Sequence, residues 1–189
     1  EDRSTGADRP VAPAARDESV PRASVPERSL TSNREDDLFT YANLVYQQQM
    51  FELAGQRFGE YLRDFPKGAN ADAAWFRLGE SYLNQRLSAE AEAAYRRALA
   101  LKPDLVGAHN NLANALVAHG RSDEALIHFQ RALEVDPNLV EAHVNLGTIL
   151  LQQGKLDAAA AQFERALGID ANSADAQANL GNVRLAQGR

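Results

Sequence analysis

The sequence predicts an all-α protein, a solenoid of stacked helix pairs that follows a disordered amino-terminal arm. Residues 111–121 recur with small changes at 145–155 and 179–189, so the copies lie 34 residues apart. Pro103 and Pro137 are separated by the same period, and each ends a stretch with helical apolar spacing. A repeat of this length is typical of helix pairs that stack on their neighbours, because one pair alone cannot bury its apolar face.

The composition excludes several classes of function. A formal net charge of -6 and a pI near 5.2 argue against sequence-independent binding of nucleic acid, which needs a dense field of Lys and Arg. No apolar run reaches the roughly 18 to 20 residues that span a bilayer, and no signal-peptide pattern is present. We therefore expect no membrane span. The chain contains no Cys, which excludes disulfides, thiolate metal sites and Cys nucleophiles.

Residues 1–34 are predicted to form a disordered arm. They hold four of the seven prolines, six acidic and six basic residues, and only Val and Leu as large apolar residues. Such a segment cannot bury enough apolar surface to offset its ordering entropy. The alternative is a segment that folds along a partner in an extended form. Because the first residue is Glu and not Met, we expect a processed or excised form of the protein.

The period divides the rest of the chain. We expect one divergent helix pair, three complete pairs and one unpaired final helix, at residues 35–71, 72–105, 106–139, 140–173 and 174–189. Gly120 and Gly154 end first helices, where a left-handed backbone is common. Ser122 and Asp157 are expected to cap the second helices that follow. The apolar face of the final helix, including Val183 and Leu185, is expected to be available for self-association.

The segment WFRLGESY at residues 75–82 matches the pattern W-x2-L-G-x2-Y, and Ala91, Tyr95 and Pro103 supply its later positions. The chain therefore resembles tetratricopeptide repeat proteins. The resemblance implies a right-handed superhelix in which the first helix of each pair lines the concave surface.

One face of the first helices is polar and rich in amides. With the first residue of each repeat counted as position one, positions two, six, nine and thirteen form a single row, which we call the stripe. Its members at position six, Asn111, Asn145 and Asn179, form a ladder. The predicted binding groove is completed by Asn114, Asn182, Thr148 and Gln152 as secondary contacts, together with Arg77 and Asn84.

The ladder indicates that these Asn side chains form specific hydrogen bonds, because Asn in a helix interior is disfavoured by roughly half a kcal/mol relative to Ala. Each carboxamide offers a donor and an acceptor, which match the backbone of an extended peptide. Repeats two to four resemble the helical arm of O-linked N-acetylglucosamine transferase, which implies that Asn111, Asn145 and Asn179 hold an extended polypeptide. The alternative is that each Asn bonds to the neighbouring repeat as part of the scaffold. A carboxylate clamp is disfavoured because Arg77 is the only cation of the stripe and Glu80 lies beside it.

No catalytic, metal or cofactor site is expected. None of the four histidines belongs to an H-E-x-x-H motif, and the chain lacks a Gly-rich phosphate loop and a G-x-S-x-G elbow. His109 and His143 occupy the repeat position of Trp75, which predicts burial between repeats. A metal site that joined these two histidines would lack a third ligand, for which Glu141 is the only candidate nearby.

The predicted function is a non-catalytic scaffold or adaptor that receives an extended segment of a partner protein. Two alternatives are a structural subunit held in a larger complex through its arm and convex face, and the substrate-recruiting arm of a longer enzyme. The linker between Pro66 and Trp75 is three residues longer than in a 34-residue repeat. In this the first repeat resembles bacterial envelope proteins of the Tol-Pal system and of outer-membrane protein assembly, which implies a periplasmic or envelope location; the alternative is cytoplasmic.

Overall fold

A computed structural model describes residues 34–188, which contain nine α-helices and no β-strand. The helices are α1 (Arg34–Gln47), α2 (Phe51–Asp64), α3 (Ala71–Asn84), α4 (Ser88–Leu101), α5 (Val106–Ala118), α6 (Ser122–Val135), α7 (Val140–Gln152), α8 (Leu156–Ile169) and α9 (Ala174–Ala186). The predicted arm lies outside the described residues, apart from Arg34, which begins α1.

Each helix packs chiefly on the next helix of the chain. The odd-numbered helices are the first helices of the repeats, and the even-numbered helices from α2 to α8 are the second helices. In addition, α1 contacts α3 and α7 contacts α9 directly, whereas no pair of second helices in residues 34–188 approaches as closely. The first helices therefore form the inner layer of the array, and the stripe lies on this layer.

A glycine on two of the first helices, α3 and α7, admits an aromatic ring from the second helix. A Cβ atom added to Gly79 would lie 2.6 Å from Cε1 of Tyr95, and one added to Gly147 would lie 2.7 Å from Cε1 of Phe163. Both rings are fully buried. Burying such a ring contributes roughly 2 to 3 kcal/mol, so the close approach that glycine permits outweighs its poor helix propensity.

The turns within the repeats confirm one prediction and correct another. Gly120 and Gly154 both have φ of +73°, as the sequence predicts. Ser122 and Asp157 do not cap helices: the residues before α6 and α8 are Arg121 and Lys155, without a side-chain cap. The reason is that Arg121 N–H closes the turn by donating to Leu116 O at 2.9 Å, so the next helix begins directly after it.

The longer linker after α2 is fixed by the buried Tyr61 and the half-buried Glu35. The Tyr61 hydroxyl donates to Glu35 Oε1 at 2.7 Å, and the same oxygen accepts from Ala69 N–H at 2.7 Å. Burial, followed by the bond to Glu35, raises the pKa of Tyr61 to about 12. A Cβ at Gly68 would collide with both side chains, which explains a glycine at the centre of this linker.

Candidate functional site

The amino-terminal part of the stripe is neutralised within the protein. Arg77 Nη1 donates to Glu80 Oε2 at 2.7 Å, and the guanidinium carbon lies 4.9 Å from the centre of the Tyr46 ring. Burial, and next the Glu80 carboxylate, raise the pKa of Tyr46. Asn84 donates to the backbone oxygen of Glu80 at 2.8 Å. Both predicted groove residues of α3 are therefore engaged by their own helix.

A chain of hydrogen bonds joins α5 to α7 at the centre of the stripe. Asn145 Nδ2 donates to Asn114 Oδ1 at 2.9 Å, and Asn114 Nδ2 donates to Glu141 Oε1 at 2.9 Å. Asn111 Nδ2 makes a longer contact of 3.4 Å with the Tyr95 hydroxyl on α4. Two members of the ladder thus contact neighbouring repeats through one N–H each, while their Oδ1 atoms have no partner within residues 34–188.

The remaining stripe residues make fewer contacts. Thr148 Oγ1 donates to the backbone oxygen of Val144 at 2.9 Å within α7. Gln152 and Asn182 are exposed and Asn179 is half-buried, and these three side chains make no hydrogen bond within the described part of the chain. The structure therefore brings Asn114, Asn145 and Glu141 together but leaves Asn179 unbonded.

Sequence reasoning missed Asn110, which lies at position five of its repeat. Its side chain is only 4% exposed, and its Oδ1 atom is buried without a hydrogen-bond partner among the described residues. The same position holds Phe76 in the preceding repeat and Val144 in the following one. A polar residue between two apolar equivalents was the signal that could have identified it.

The predicted burial of His109 and His143 is confirmed, and each ring fastens the loop before its helix. His109 Nε2–H donates to Pro103 O at 2.8 Å, so its Nδ1 accepts from His128 Nδ1–H at 3.0 Å. His143 Nε2 contacts Pro137 O at 3.0 Å in the same way. Burial, and next the neighbouring His109, lower the pKa of His128.

No group of three or more His, Asp or Glu side chains with metal-binding geometry occurs among the residues that the structure describes. His109 is instead paired with His128 of the same repeat.

The final helix corrects the predicted exposure of Val183, while self-association stays a prediction. Val183 is fully buried, because position ten of a first helix faces the second helix of the preceding repeat. Leu185, by contrast, is 76% exposed. Gly181 lies where Gly79 and Gly147 receive an aromatic ring, yet no atom of residues 34–188 lies within 4 Å of a Cβ added there. An accessible apolar face on α9 is thus smaller than the sequence suggested.

Within residues 34–188, no helix is both long enough and apolar enough to cross a membrane.

Comparisons with known protein families agree with the helix pairs. Two models of the tetratricopeptide repeat match residues 72–105 and 110–174, which together make up just over half of the chain. A comparison with curated protein sequences finds no match.

Solved structures share the architecture. MamA superposes with a TM-score of 0.74 at 19% identity, over 82% of this chain and 82% of that chain. YrrB, described as a TPR protein with an unusual peptide-binding site, gives 0.71 at 27% identity over 82% and 80%. The first TPR domain of Spaghetti (RPAP3), bound to the HSP90 peptide SRMEEVD, gives 0.61 at 20% identity over 65% and 97%. The predicted right-handed superhelix is thereby confirmed, and the chain belongs to the tetratricopeptide repeat proteins.

Proposed function

We propose that this chain is a non-catalytic adaptor that binds an extended segment of a partner protein along the stripe. The observation that carries the proposal is the hydrogen-bonded chain Asn145–Asn114–Glu141 on the inner layer. These side chains are held in place by one another and still present unused oxygen atoms. Fixed acceptors at the spacing of successive repeats suit the N–H groups of an extended backbone, and groups that are already ordered lose little entropy on binding.

The comparison with YrrB supports the same class of ligand, since that structure is described as having a peptide-binding site. The acidic peptide bound to the Spaghetti domain suits this chain poorly. Arg77, the one cation of the stripe, is already paired with Glu80 at 2.7 Å, while Glu141 and Asp175 are exposed. An acidic ligand would therefore meet negative charge without a free cation to balance it.

The test is a selection of short random peptides displayed on phage, followed by fluorescence anisotropy of the enriched peptides. The variant Asn111→Ala/Asn145→Ala/Asn179→Ala should weaken binding about tenfold or more, because each lost hydrogen bond is worth about 1 kcal/mol. The matched control Gln56→Ala/Gln130→Ala changes exposed amides on second helices and should bind as the unmodified chain does. Circular dichroism must show equal helix content in all three.

Two results would contradict the proposal. If no peptide is enriched, the stripe is not a peptide site, and a structural subunit held through its arm and outer face becomes the better interpretation. If peptides bind equally to the triple Ala variant, the site lies elsewhere on the chain. The same result would also argue against the alternative in which the ladder recruits substrates for a longer enzyme.

We also infer an envelope or periplasmic location, with the cytoplasm as the alternative. The inference is supported by the longer linker between α2 and α3. The sequence FPKGANADAAW, which includes this linker, resembles that of bacterial envelope repeat proteins. Fractionation of the source cells by osmotic shock tests it. The protein should be released together with a periplasmic marker, and release only on cell lysis would place it in the cytoplasm.

A further inference from the structure

The buried amide of Asn110 is energetically unfavourable for the free protein. Leaving its Oδ1 atom without a partner costs roughly 1 to 3 kcal/mol. Folding does not require an amide here, because Phe76 and Val144 occupy the equivalent position in the adjacent repeats. A buried acceptor without a donor calls for an explanation, and a donor supplied on binding is one that can be tested.

The neighbouring repeat shows where this side chain points. The ring of Phe76 lies 3.0 Å from a Cβ added to Gly107, which is position two of the next repeat. By repeat equivalence, Asn110 faces position two of the following repeat, which is Glu141. Asn114, one helical turn beyond Asn110, already donates to Glu141 at 2.9 Å. The buried carbonyl and the carboxylate therefore lie on the same border between α5 and α7.

This border offers acceptors and negative charge without a cation to balance them. Glu141 is exposed and takes part in no salt bridge among residues 34–188. One N–H of Asn145 and one of Asn114 are used inside the protein. The acceptors left without a partner among residues 34–188 are the second oxygen of Glu141 and the Oδ1 of Asn145, which reach the surface, and the Asn110 carbonyl, which a ligand reaches only if that side chain turns outward.

We propose that Asn110, Asn145 and Glu141 form an acceptor site for the guanidinium group of an arginine in the partner segment. A guanidinium presents five N–H donors in a planar fork, so it can donate to a carboxylate and a neighbouring carbonyl at once. The inference rests on the proposed function and specifies it: the segment carries a cation over α5 and α7. Because Arg77 and Glu80 neutralise each other on α3, the amino-terminal part of the stripe should not favour a ligand of either charge.

The experiment is an NMR titration of the full chain with N-acetyl-arginine amide, at constant ionic strength. The uncharged isostere N-acetyl-citrulline amide is the matched ligand control. The arginine compound should shift the side-chain amide signals of Asn110 and Asn145 in a saturable way, and the citrulline compound should leave them unchanged. Glu141→Gln should weaken binding about fivefold or more, since a charge-assisted bond is lost.

Two variants separate this site from general charge effects. Asn110→Val, which copies the residue of the next repeat, should weaken binding about threefold to fivefold without loss of helix content. Glu164→Gln removes an exposed carboxylate on α8 and should leave binding unchanged. Equal shifts by both compounds, or full binding by Glu141→Gln, would overturn the acceptor site.

The proposal can fail independently of the proposed function. If peptides from the phage selection bind along the stripe but neither contain arginine nor respond to Glu141→Gln, the adaptor function stands and the guanidinium site is wrong. If the selection gives no peptide while the arginine compound still binds at Asn110, the acceptor site exists but serves a ligand other than an extended segment.

Discussion

Replacing Asn110 by Val should make the free protein more stable, which is the opposite of the usual effect of a core substitution. The change removes a buried carbonyl without a partner, which costs roughly 1 to 3 kcal/mol. Val and Asn have similar helix propensities, so the helix itself contributes little. Val144 shows that this side chain packs at the equivalent position, where it is 9% exposed. We expect the free energy of unfolding to rise by about 1 to 2 kcal/mol.

The measurement is urea denaturation followed by circular dichroism at the helix band, with the midpoint compared at an unchanged slope. The reciprocal change Val144→Asn serves as the matched control, because it places an unpaired amide at the same position of the next repeat. It should destabilise the protein by about 2 to 3 kcal/mol. If Asn110→Val lowers the midpoint, Oδ1 has a partner in the free protein, and the argument for a ligand-supplied donor is refuted.

Three further predictions concern the scaffold. Gly147→Ala should destabilise by about 1 to 2 kcal/mol, because its Cβ would lie 2.7 Å from the Phe163 ring, whereas Gly181→Ala should raise the melting temperature since its site is open. The free energy of unfolding should fall between pH of about 10 and about 12, because the raised pKa of Tyr61 means that its hydroxyl loses the proton first in the unfolded chain. Thermal melting at several pH values measures this, and the dependence of the melting temperature on pH should be weaker in Tyr61→Phe. The free energy of unfolding should also fall as pH drops below about 6.5, because the lowered pKa of His128 means that its ring binds a proton first in the unfolded chain. An unchanged dependence of stability on pH in His128→Gln would contradict this.

The fold class could be predicted from the sequence because the contacts that build it are local and repeated. A small residue on one helix and an aromatic ring on the next recur at a fixed separation, as in Gly147 and Phe163. The left-handed turn at Gly120 could be predicted for the same reason, since it depends on a single residue. The prediction that Ser122 and Asp157 cap helices was wrong, because a backbone hydrogen bond across each turn determines where the next helix begins.

The site was less predictable because it depends on side chains that meet across repeats. Helical periodicity placed Asn114 and Asn145 on one stripe, but their bond also requires the spacing of α5 and α7 and a particular rotamer of each side chain. Asn110 lies at the edge of the stripe, where a small rotation of α5 decides whether the side chain is exposed or buried. A repeat pattern predicts which face of a helix is polar, but it does not determine whether a residue at the edge of that face is buried.

The two interpretations of the Asn ladder can be separated because its members are not equivalent in the structure. Asn145 donates to Asn114, so Asn145→Ala should destabilise by about 0.5 to 1 kcal/mol after the better helix propensity of Ala is included. Asn179 makes no hydrogen bond within residues 34–188, so Asn179→Ala should leave the protein equally stable or slightly more stable, as judged by urea denaturation.

Peptide binding then decides the question, because Asn179 makes no side-chain hydrogen bond among residues 34–188 that its loss could disturb. A weaker affinity of Asn179→Ala for a selected peptide, together with unchanged stability, would come from a lost contact with the ligand. Unchanged affinity would restrict the site to α5 and α7. If Asn145→Ala lowers stability yet binds the peptide as well as the unmodified chain does, the amide at position six is part of the scaffold, and the ligand is held by the acceptors beside it.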